Sequence, residues 1–226
     1  GNPERIYKTT AIGPEFPGTF ENYAASVVYH WQKSGDERLK ALKDTLSTLG
    51  LSWKIEAKQV ADTQVELRVG RLAHSVRGGA RDLVNVADVG FGVSQVLPVL
   101  VALLAAEPGQ MVYLEQPEIH LHPRAQMALA GALADAANRG VRVVAETHSS
   151  LLLLAVQALV AEGKLSPGKI KLHWFQRGDE DGVTKITSAD LDEAGAFGDW
   201  PEDFADVELY VQSRYLDAAE SRLVKS

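Results

Sequence analysis

The chain has 226 residues, 46% of them hydrophobic, and a formal net charge of -7. That length and composition are typical of one large or two small globular domains with a buried core. The acidic balance argues against a surface coated in basic residues, so the charge leaves DNA binding open but unsupported. The lack of cysteine excludes disulfides, thiolate metal sites and a cysteine nucleophile.

The longest apolar stretch covers residues 96–106, whereas a membrane-spanning helix needs about 20 apolar residues. No signal-peptide pattern opens the sequence, and a chain without cysteine is typical of a reducing compartment. We therefore expect a cytoplasmic protein that contacts no membrane.

Residues 1–87 predict helices followed by a small antiparallel sheet. The pairs Gly13-Pro14 and Phe16-Pro17 indicate an extended or looped lead-in over residues 1–17. Apolar residues three and four apart predict two helices within residues 20–49, with Gly50 just past the second. Alternating apolar residues then predict an antiparallel meander. Its three strands are expected at residues 53–57, 65–69 and 83–86.

Four arginines accompany the predicted meander: Arg68, Arg71, Arg77 and Arg81. A solvated sheet edge explains them most simply. The neighbouring Gly78-Gly79 pair would also let the loop approach a phosphate or an acidic partner.

From residue 88 onward, helices and strands alternate in the pattern of a parallel sheet with helical crossovers. We first expect a glycine-spaced turn at 88–95, followed by a helix to about 106. Strands are then expected at 111–114 and 141–145, with helices at 123–138 and 150–162. A hairpin from 169–175 and 182–186 and a helical tail from about 199 complete the chain. The predicted fold is α/β, with a largely parallel sheet, a small antiparallel meander and N-terminal helices. The predicted segments are 1–87, 88–190 and 191–226.

The stretch Met111–Pro123, MVYLEQPEIHLHP, is the one around which the chain is organised. Its apolar run predicts a buried parallel strand, and the carboxylates that follow would lie at the carboxyl end of that strand. Open α/β sheets bind their ligands at this end. A carboxylate held there suits hydrated Mg2+, which usually takes one or two oxygen ligands from protein.

Three motifs in a fixed order carry a resemblance to a known family: GFGVSQ, LEQPEIHLHP and ETHS. Together they resemble the second half of an ATP-binding-cassette ATPase head. The members that it resembles include the soluble heads of SMC, RecF and overcoming-lysogenisation-defect type proteins, among them bacterial AAA-like ATPases. The resemblance covers residues 88–150. It implies ATP and Mg2+ as cofactors and a role in DNA-associated or phage-defence work.

The resemblance places the signature motif on a glycine-spaced segment: Gly90, Gly92, Ser94 and Gln95. In this family the signature contacts the γ-phosphate of ATP bound to the opposing subunit. Small residues that let backbone N–H groups approach an anion, at a helix N-terminus, suit this contact. A plain glycine turn before a core helix is the alternative explanation.

The resemblance assigns Glu115 to the Walker B acid, which orients Mg2+ directly or through water. Gln116 falls where hydrolytic members carry a catalytic glutamate. A neutral amide can orient an attacking water but cannot accept its proton, so we expect slow hydrolysis. Glu118 is a hypothetical base or water-positioning residue, if the turn at Pro117 brings it inward.

His148 matches the switch histidine, which in the family hydrogen-bonds the γ-phosphate. His122 resembles the D-loop residue that crosses the dimer interface. His120 and His122 also spell a His-x-His pair typical of metal sites, but the nearby sequence offers no third ligand. We therefore favour the loop role over a zinc site.

Residues 163–170, GKLSPGKI, imitate a phosphate-binding P-loop. A P-loop follows a strand and opens a helix, whereas this segment follows a predicted helix and enters a predicted strand. Pro167 also removes an N–H from the phosphate cradle, and Ile170 replaces the required Ser or Thr. We interpret the segment as a surface turn.

A signature, a Walker B strand and a switch without a P-loop predict the C-terminal lobe of an ATPase. Such a chain should bind ATP weakly by itself, because the P-loop supplies most phosphate contacts. We expect the Walker A lobe upstream of Gly1 or on another chain, and an ATP-dependent homodimer. ATP hydrolysis is expected only when that lobe is present. Two alternatives remain, namely a nucleotide-gated interaction module with little hydrolysis and a nucleotide-free structural partner.

Overall fold

The computed structural model describes residues 6–8, 20–72, 74, 82–178, 182–198, 210 and 213–217. Its contacts group the chain into two compact units, Gly1–Val156 and Gln157–Ser226. The division into segments 1–87, 88–190 and 191–226 stays a prediction. Among the described residues, no helix has both the length and the apolar character that crossing a membrane requires.

The two predicted N-terminal helices are present. Helix α1 covers Glu21–Ser34 and ends at Gly35, whose positive φ of 68° lets its N–H group turn back to the helix. Helix α2 covers Glu37–Thr48 and begins at Asp36, whose carboxylate accepts a hydrogen bond from the backbone N–H of Arg38. These caps explain why the polar break between the helices is short.

The antiparallel meander is also confirmed, and it gains a fourth strand. The strands are β1 (Ile6–Lys8), β2 (Ile55–Ala61), β3 (Gln64–Gly70) and β4 (Leu83–Asn85). Strand β2 pairs along nearly all of β3, so β1 and β4 share the opposite edge of β3. The predicted lead-in is therefore corrected at β1, because a three-residue strand is too short for periodicity to reveal. Arg77 and Arg81 lie outside the described residues.

Helices and strands alternate from residue 91 onward. They are α3 (Phe91–Ala105), β5 (Met111–Glu115), α4 (Pro123–Asn138), β6 (Arg142–Glu146) and α5 (Ser150–Ala161). The boundary between the two units falls within α5. Strands β5 and β6 pair in parallel. This βαβ arrangement confirms the α/β class, although the described parallel sheet has two strands.

The core of the first unit lies between α1, α2, α3 and the antiparallel sheet, and α4 packs beside α3 and β6. Its fully buried large side chains are mostly leucines: Leu42, Leu46, Leu97, Leu100, Leu103 and Leu129. Burying each such side chain contributes about 1.5–3 kcal/mol. Helices α3 and α4 also contact β5 and β6, so the strands that carry the predicted site residues pack on this core.

In the second unit, β7 (Leu172–Arg177) and β8 (Thr184–Ala189) form the predicted antiparallel hairpin. The P-loop-like segment lies between α5 and β7 and contains a short 3-10 turn at Pro167–Lys169. It thus follows a helix and enters a strand, which confirms that it is a turn. Of the predicted helical tail, residues 210 and 213–217 are described, and they are helical.

Candidate functional site

Two carboxylates stand side by side where the parallel strands end. Glu115 is the last residue of β5, and it is the register partner of Glu146, the last residue of β6. Both side chains are exposed. Ends of parallel strands meet at one edge of a sheet, which is why two residues 31 positions apart in sequence become neighbours.

Tyr113 extends the polar group at this edge. Its hydroxyl donates a hydrogen bond of 3.3 Å to Oε2 of Glu146. Partial desolvation of the hydroxyl, followed by the negative charge of Glu146, raises the pKa of Tyr113. Tyr113 therefore stays a neutral donor beside the carboxylate in ordinary buffers.

Gln116 adopts an unusual backbone conformation directly after β5. Its φ is 42°, and among the described residues no other non-glycine residue has a positive φ. For residues other than glycine this conformation costs roughly 1–2 kcal/mol. The N–H of Gln116 still donates to the carbonyl of Glu146 over 2.9 Å, which continues the ladder by one bond. Strain of this kind gathers at functional sites.

Glu118 lies inside the first unit and not at the open edge. It is 5% exposed, and Oε1 accepts a 2.5 Å hydrogen bond from the hydroxyl of Thr147. Its other oxygen, Oε2, has no hydrogen-bond partner among the described residues. This burial favours a structural role for Glu118, in which its bond to Thr147 stabilises the fold. The role of Glu118 as base or water-positioning residue stays a prediction.

His148 is exposed in the short β6–α5 loop between Thr147 and Ser149. The structure places this loop beside the β5–α4 loop, which covers residues 116–122, because the Glu118–Thr147 hydrogen bond joins them. The predicted switch residue therefore lies on the segment that directly follows the carboxylate edge. Among the described residues, none forms a hydrogen bond with the His148 imidazole.

His122 and His120 take different positions in the β5–α4 loop. His122 is exposed and caps α4, its Nδ1 accepting from the N–H of Arg124 over 3.3 Å. The ring of His120 lies 5.7 Å from that of Phe91, between ring centroids. Within the described parts of the chain, no three His, Cys, Asp or Glu side chains form a group able to hold a metal ion.

The predicted signature segment lies against the same loop. Gly90 occupies the N-cap position of α3, and Gly92 lies in the first turn. A Cβ atom added at Gly92 would lie 3.0 Å from the carbonyl oxygen of His120, so a larger residue here would need this carbonyl to shift by a few tenths of an ångström. The hydroxyl of Ser94 donates to the carbonyl of Phe91 over 3.1 Å, whereas Gln95 is exposed.

Sequence reasoning missed two features of this region. Glu146 was not among the predicted site residues, although its place at the end of a predicted strand was a usable signal. The Glu118–Thr147 bond joins residues 29 positions apart and has no local sequence signal.

One face of the β5–β6 pair is open. Met111, Tyr113 and Val144 project from it and are 65%, 61% and 46% exposed. The register pairs Met111 with Arg142 and Tyr113 with Val144, so these side chains share one face. Parallel sheets in proteins are covered on both faces.

A family model described as "AAA domain, putative AbiEii toxin, Type IV TA system" matches residues 6–155. This span contains β1 to β6 and all the predicted site residues. No curated protein matches the chain.

Among solved structures, similar chains come from SMC proteins. One, from work on ATP-driven dimerization and DNA stimulated activation of SMC ATPases, is 11% identical, with a TM-score of 0.47 over 70% of this chain and 87% of that chain. A Pyrococcus furiosus Smc head domain with an extended coiled coil, bound to the C-terminal domain of ScpA, is 9% identical, with a TM-score of 0.48 over 71% of this chain and 36% of that chain. A third, an Smc head bound to the C-winged helix domain of ScpA, is 11% identical, with a TM-score of 0.49 over 77% of this chain and 51% of that chain.

Proposed function

Because the chain belongs to the AAA-domain family that includes the putative AbiEii toxins, we propose that it is the signature- and switch-bearing lobe of an ATPase head. The family match confirms the resemblance to bacterial AAA-like ATPases. The observation that carries the proposal is the edge where β5 and β6 end in register, because it gathers Glu115, Gln116 and the His148 loop. Ligand sites of α/β sheets lie at such edges.

Glu115 is the residue proposed to hold Mg2+, with Glu146 beside it as a second oxygen donor. Both carboxylates are exposed, and oxygen donors are what Mg2+ prefers. When bound, Mg2+ neutralises phosphate charge and orients the terminal phosphate. Glu115 and Glu146 would contribute the carboxylate charge that attracts the ion to this edge.

Gln116 and His148 are proposed to act on the terminal phosphate and on water. The Gln116 amide can accept a hydrogen bond from water and orient it, but cannot take up a proton. His148, exposed on the neighbouring loop, can donate a hydrogen bond to a phosphate oxygen. Slow turnover follows from the amide, so a nucleotide-gated module with little hydrolysis is the second candidate function.

The open face of β5 and β6 supports the proposal of a separate P-loop lobe. Its exposed side chains include the apolar Met111 and Val144 and the aromatic Tyr113, next to the charged Arg142, Glu115 and Glu146. An uncovered face of a parallel sheet fits an interaction site, because such sheets are covered on both faces. A Walker A lobe, in cis or in trans, would cover this face and supply the phosphate contacts that this chain lacks. The proposed cytoplasmic location agrees with a protein that works on ATP.

The signature residues are proposed to contact ATP on a second copy of the protein. Gly90 lies at the start of the 15-residue helix α3, whose terminal N–H groups favour an anion. In the resulting dimer, ATP would join the two copies and hydrolysis would release them. DNA-associated or phage-defence work is the proposed setting.

The first test is to sequence the encoding reading frame upstream of Gly1 for a strand followed by G-x-x-x-x-G-K-[ST]. ATP binding and turnover are then measured for this chain alone and together with the P-loop lobe. We expect activity with the lobe only, and its loss in Glu115→Gln. Glu37→Gln, which changes an exposed acid in the first turn of α2, is the matched control. Turnover unchanged by Glu115→Gln would reject the proposed function.

A further inference from the structure

His148 lies between two residues that are each bonded to the segment following β5. On one side, the hydroxyl of Thr147 donates to the buried Oε1 of Glu118 over 2.5 Å. On the other side, the hydroxyl of Ser149 donates to Oε1 of Gln126 over 2.7 Å. The loop that carries His148 is thus hydrogen-bonded to two segments. One is the β5–α4 loop at 116–122, and the other is the start of α4.

Each hydroxyl also accepts a hydrogen bond, so neither is free to turn away. The N–H of Ser149 donates to Oγ1 of Thr147 over 3.0 Å. The N–H of Leu152 donates to Oγ of Ser149 over 3.0 Å, which caps the first turn of α5. Hydrogen bonds that are linked in series through hydroxyl groups polarise and strengthen one another. The loop conformation around His148 is therefore specified by side chains from two elements.

We call the Thr147–Glu118 bond the first tether and the Ser149–Gln126 bond the second tether. The second tether is connected to the β5–α4 loop through Gln126. The amide nitrogen of Gln126 donates to the carbonyl of Leu121 over 3.0 Å, while its oxygen holds Ser149. Leu121 follows His120, whose carbonyl lies against Gly92 of the signature segment. A continuous set of contacts thus runs from the start of α3, through this loop, to both sides of His148.

Burial explains why the first tether is strong. Glu118 is 5% exposed and its Oε2 has no partner among the described residues, so the bond to Thr147 carries much of its polar satisfaction. A hydrogen bond to a carboxylate at this short distance is about twice as strong as a neutral one. Losing the Thr147 hydroxyl would leave both Glu118 carboxylate oxygens without a partner among the described residues.

We propose that Glu118 and Gln126 are positioning residues that hold the His148 loop in register with the β5–α4 loop, so that displacement of one loop moves the other. This inference rests on the proposed function for its catalytic consequence. Its structural part, the tether, can be tested without nucleotide. Neither residue needs to touch the nucleotide for this role.

Thr147 offers the sharpest structural test, because valine has its shape without the hydroxyl and serine keeps the hydroxyl. In the 226-residue chain, amide hydrogen exchange at Leu152, whose acceptor Oγ of Ser149 is kept in both variants, is measured by NMR for Thr147→Val and Thr147→Ser. We expect exchange about tenfold faster in Thr147→Val, as for the loss of one net hydrogen bond, and near-native exchange in Thr147→Ser. Thr45→Val, which removes a hydroxyl bonded within α2, is the control for global stability.

The functional test uses the chain together with its P-loop lobe. We expect Thr147→Val to lower kcat about tenfold with little change in KM, and Thr147→Ser to restore it, because only the placement of His148 changes. Native Leu152 exchange in Thr147→Val would overturn the tether. Native kcat in Thr147→Val, in a protein that His148→Ala impairs, would overturn the positioning role. If both His148→Ala and Glu115→Gln retain full turnover, the proposed function fails instead, and the exchange data still decide the tether.

Discussion

Glu115 and Glu146 are register partners at the ends of two parallel strands, and the backbone bond from Gln116 to Glu146 lies directly beyond them. The register brings two exposed carboxylates to one edge of the sheet, and oxygen donors are what Mg2+ prefers. This relationship supports the proposal that a divalent ion binds at this edge. It also gives Glu146 a role that can be tested separately from that of Glu115.

Glu146→Gln should weaken Mg2+ binding in the assembled ATPase without abolishing it, because Glu115 remains. We expect the Mg2+ concentration for half-maximal nucleotide binding to rise about tenfold, a typical effect of losing a supporting group at a metal site. A Mg2+ titration of nucleotide binding measures this, with Glu37→Gln as the control. An unchanged midpoint would exclude Glu146 from the ion site.

Gln116→Glu should increase ATP turnover, because a carboxylate can accept the proton of an attacking water and an amide cannot. General base catalysis contributes roughly 10²–10⁴-fold, so we expect kcat to rise within that range if chemistry limits the rate. Steady-state hydrolysis by the complete protein checks this. Gln176→Glu, which adds the same charge at an exposed position outside the proposed site, is the control.

Gly92→Ala should destabilise the chain, while Gly131→Ala, within α4, should not. The new Cβ at position 92 would lie 3.0 Å from the carbonyl oxygen of His120, whereas at position 131 nothing lies within 4 Å. Overpacking costs about 1–3 kcal/mol, and the better helix propensity of alanine recovers up to about 1 kcal/mol. We expect a net loss of about 1 kcal/mol for Gly92→Ala in urea unfolding. Equal stability of the two variants would contradict the close approach.

Asp36→Ala should destabilise the chain by about 1 kcal/mol at neutral pH through loss of the α2 N-cap. The side-chain hydrogen bond from Arg38 holds the pKa of Asp36 below its ordinary value of 3.8. A lowered folded-state pKa means that the charged form adds stability above the unfolded pKa, and this is lost as pH falls through the folded pKa.

The difference in stability between wild type and Asp36→Ala should therefore be full at pH 7 and should shrink below about pH 4. Urea unfolding at several pH values measures it. Asp44→Ala, at another position in α2, is the control. A difference that is independent of pH would show that the ionised carboxylate does not provide the cap.

Met111→Glu should weaken association with the P-loop lobe, because it places a charge on the open face of β5. We expect the dissociation constant to rise at least about tenfold, as when a charge is buried unpaired at an interface. Since Met111 is 65% exposed, the stability of the chain alone should change little. Met127→Glu, at a side chain that is 55% exposed on α4, is the control for charge. Equal binding by both variants would place the lobe elsewhere.

Local sequence was sufficient for most elements. Short-range patterns specify several elements. The three- and four-residue spacing before Gly50 specifies the N-terminal helices, Pro123 specifies the first turn of α4, and the apolar run before Glu115 specifies β5. The exception, β1, is a strand of three residues that exists through its pairing with β3. Such a segment carries too few residues to show a period.

Sequence by itself determined the α/β class, the order of the three motifs and the family, because these depend on periodicity, capping and residue type along the chain. Only the tertiary structure decided that Glu118 is buried against Thr147, that Glu146 faces Glu115, and that Gly92 touches the loop of His120. Those contacts join residues about 28 to 31 positions apart, and their formation depends on how strands and helices pack. Local patterns carry no record of such packing, which is why the roles of Glu118 and Glu146 emerged from the folded chain.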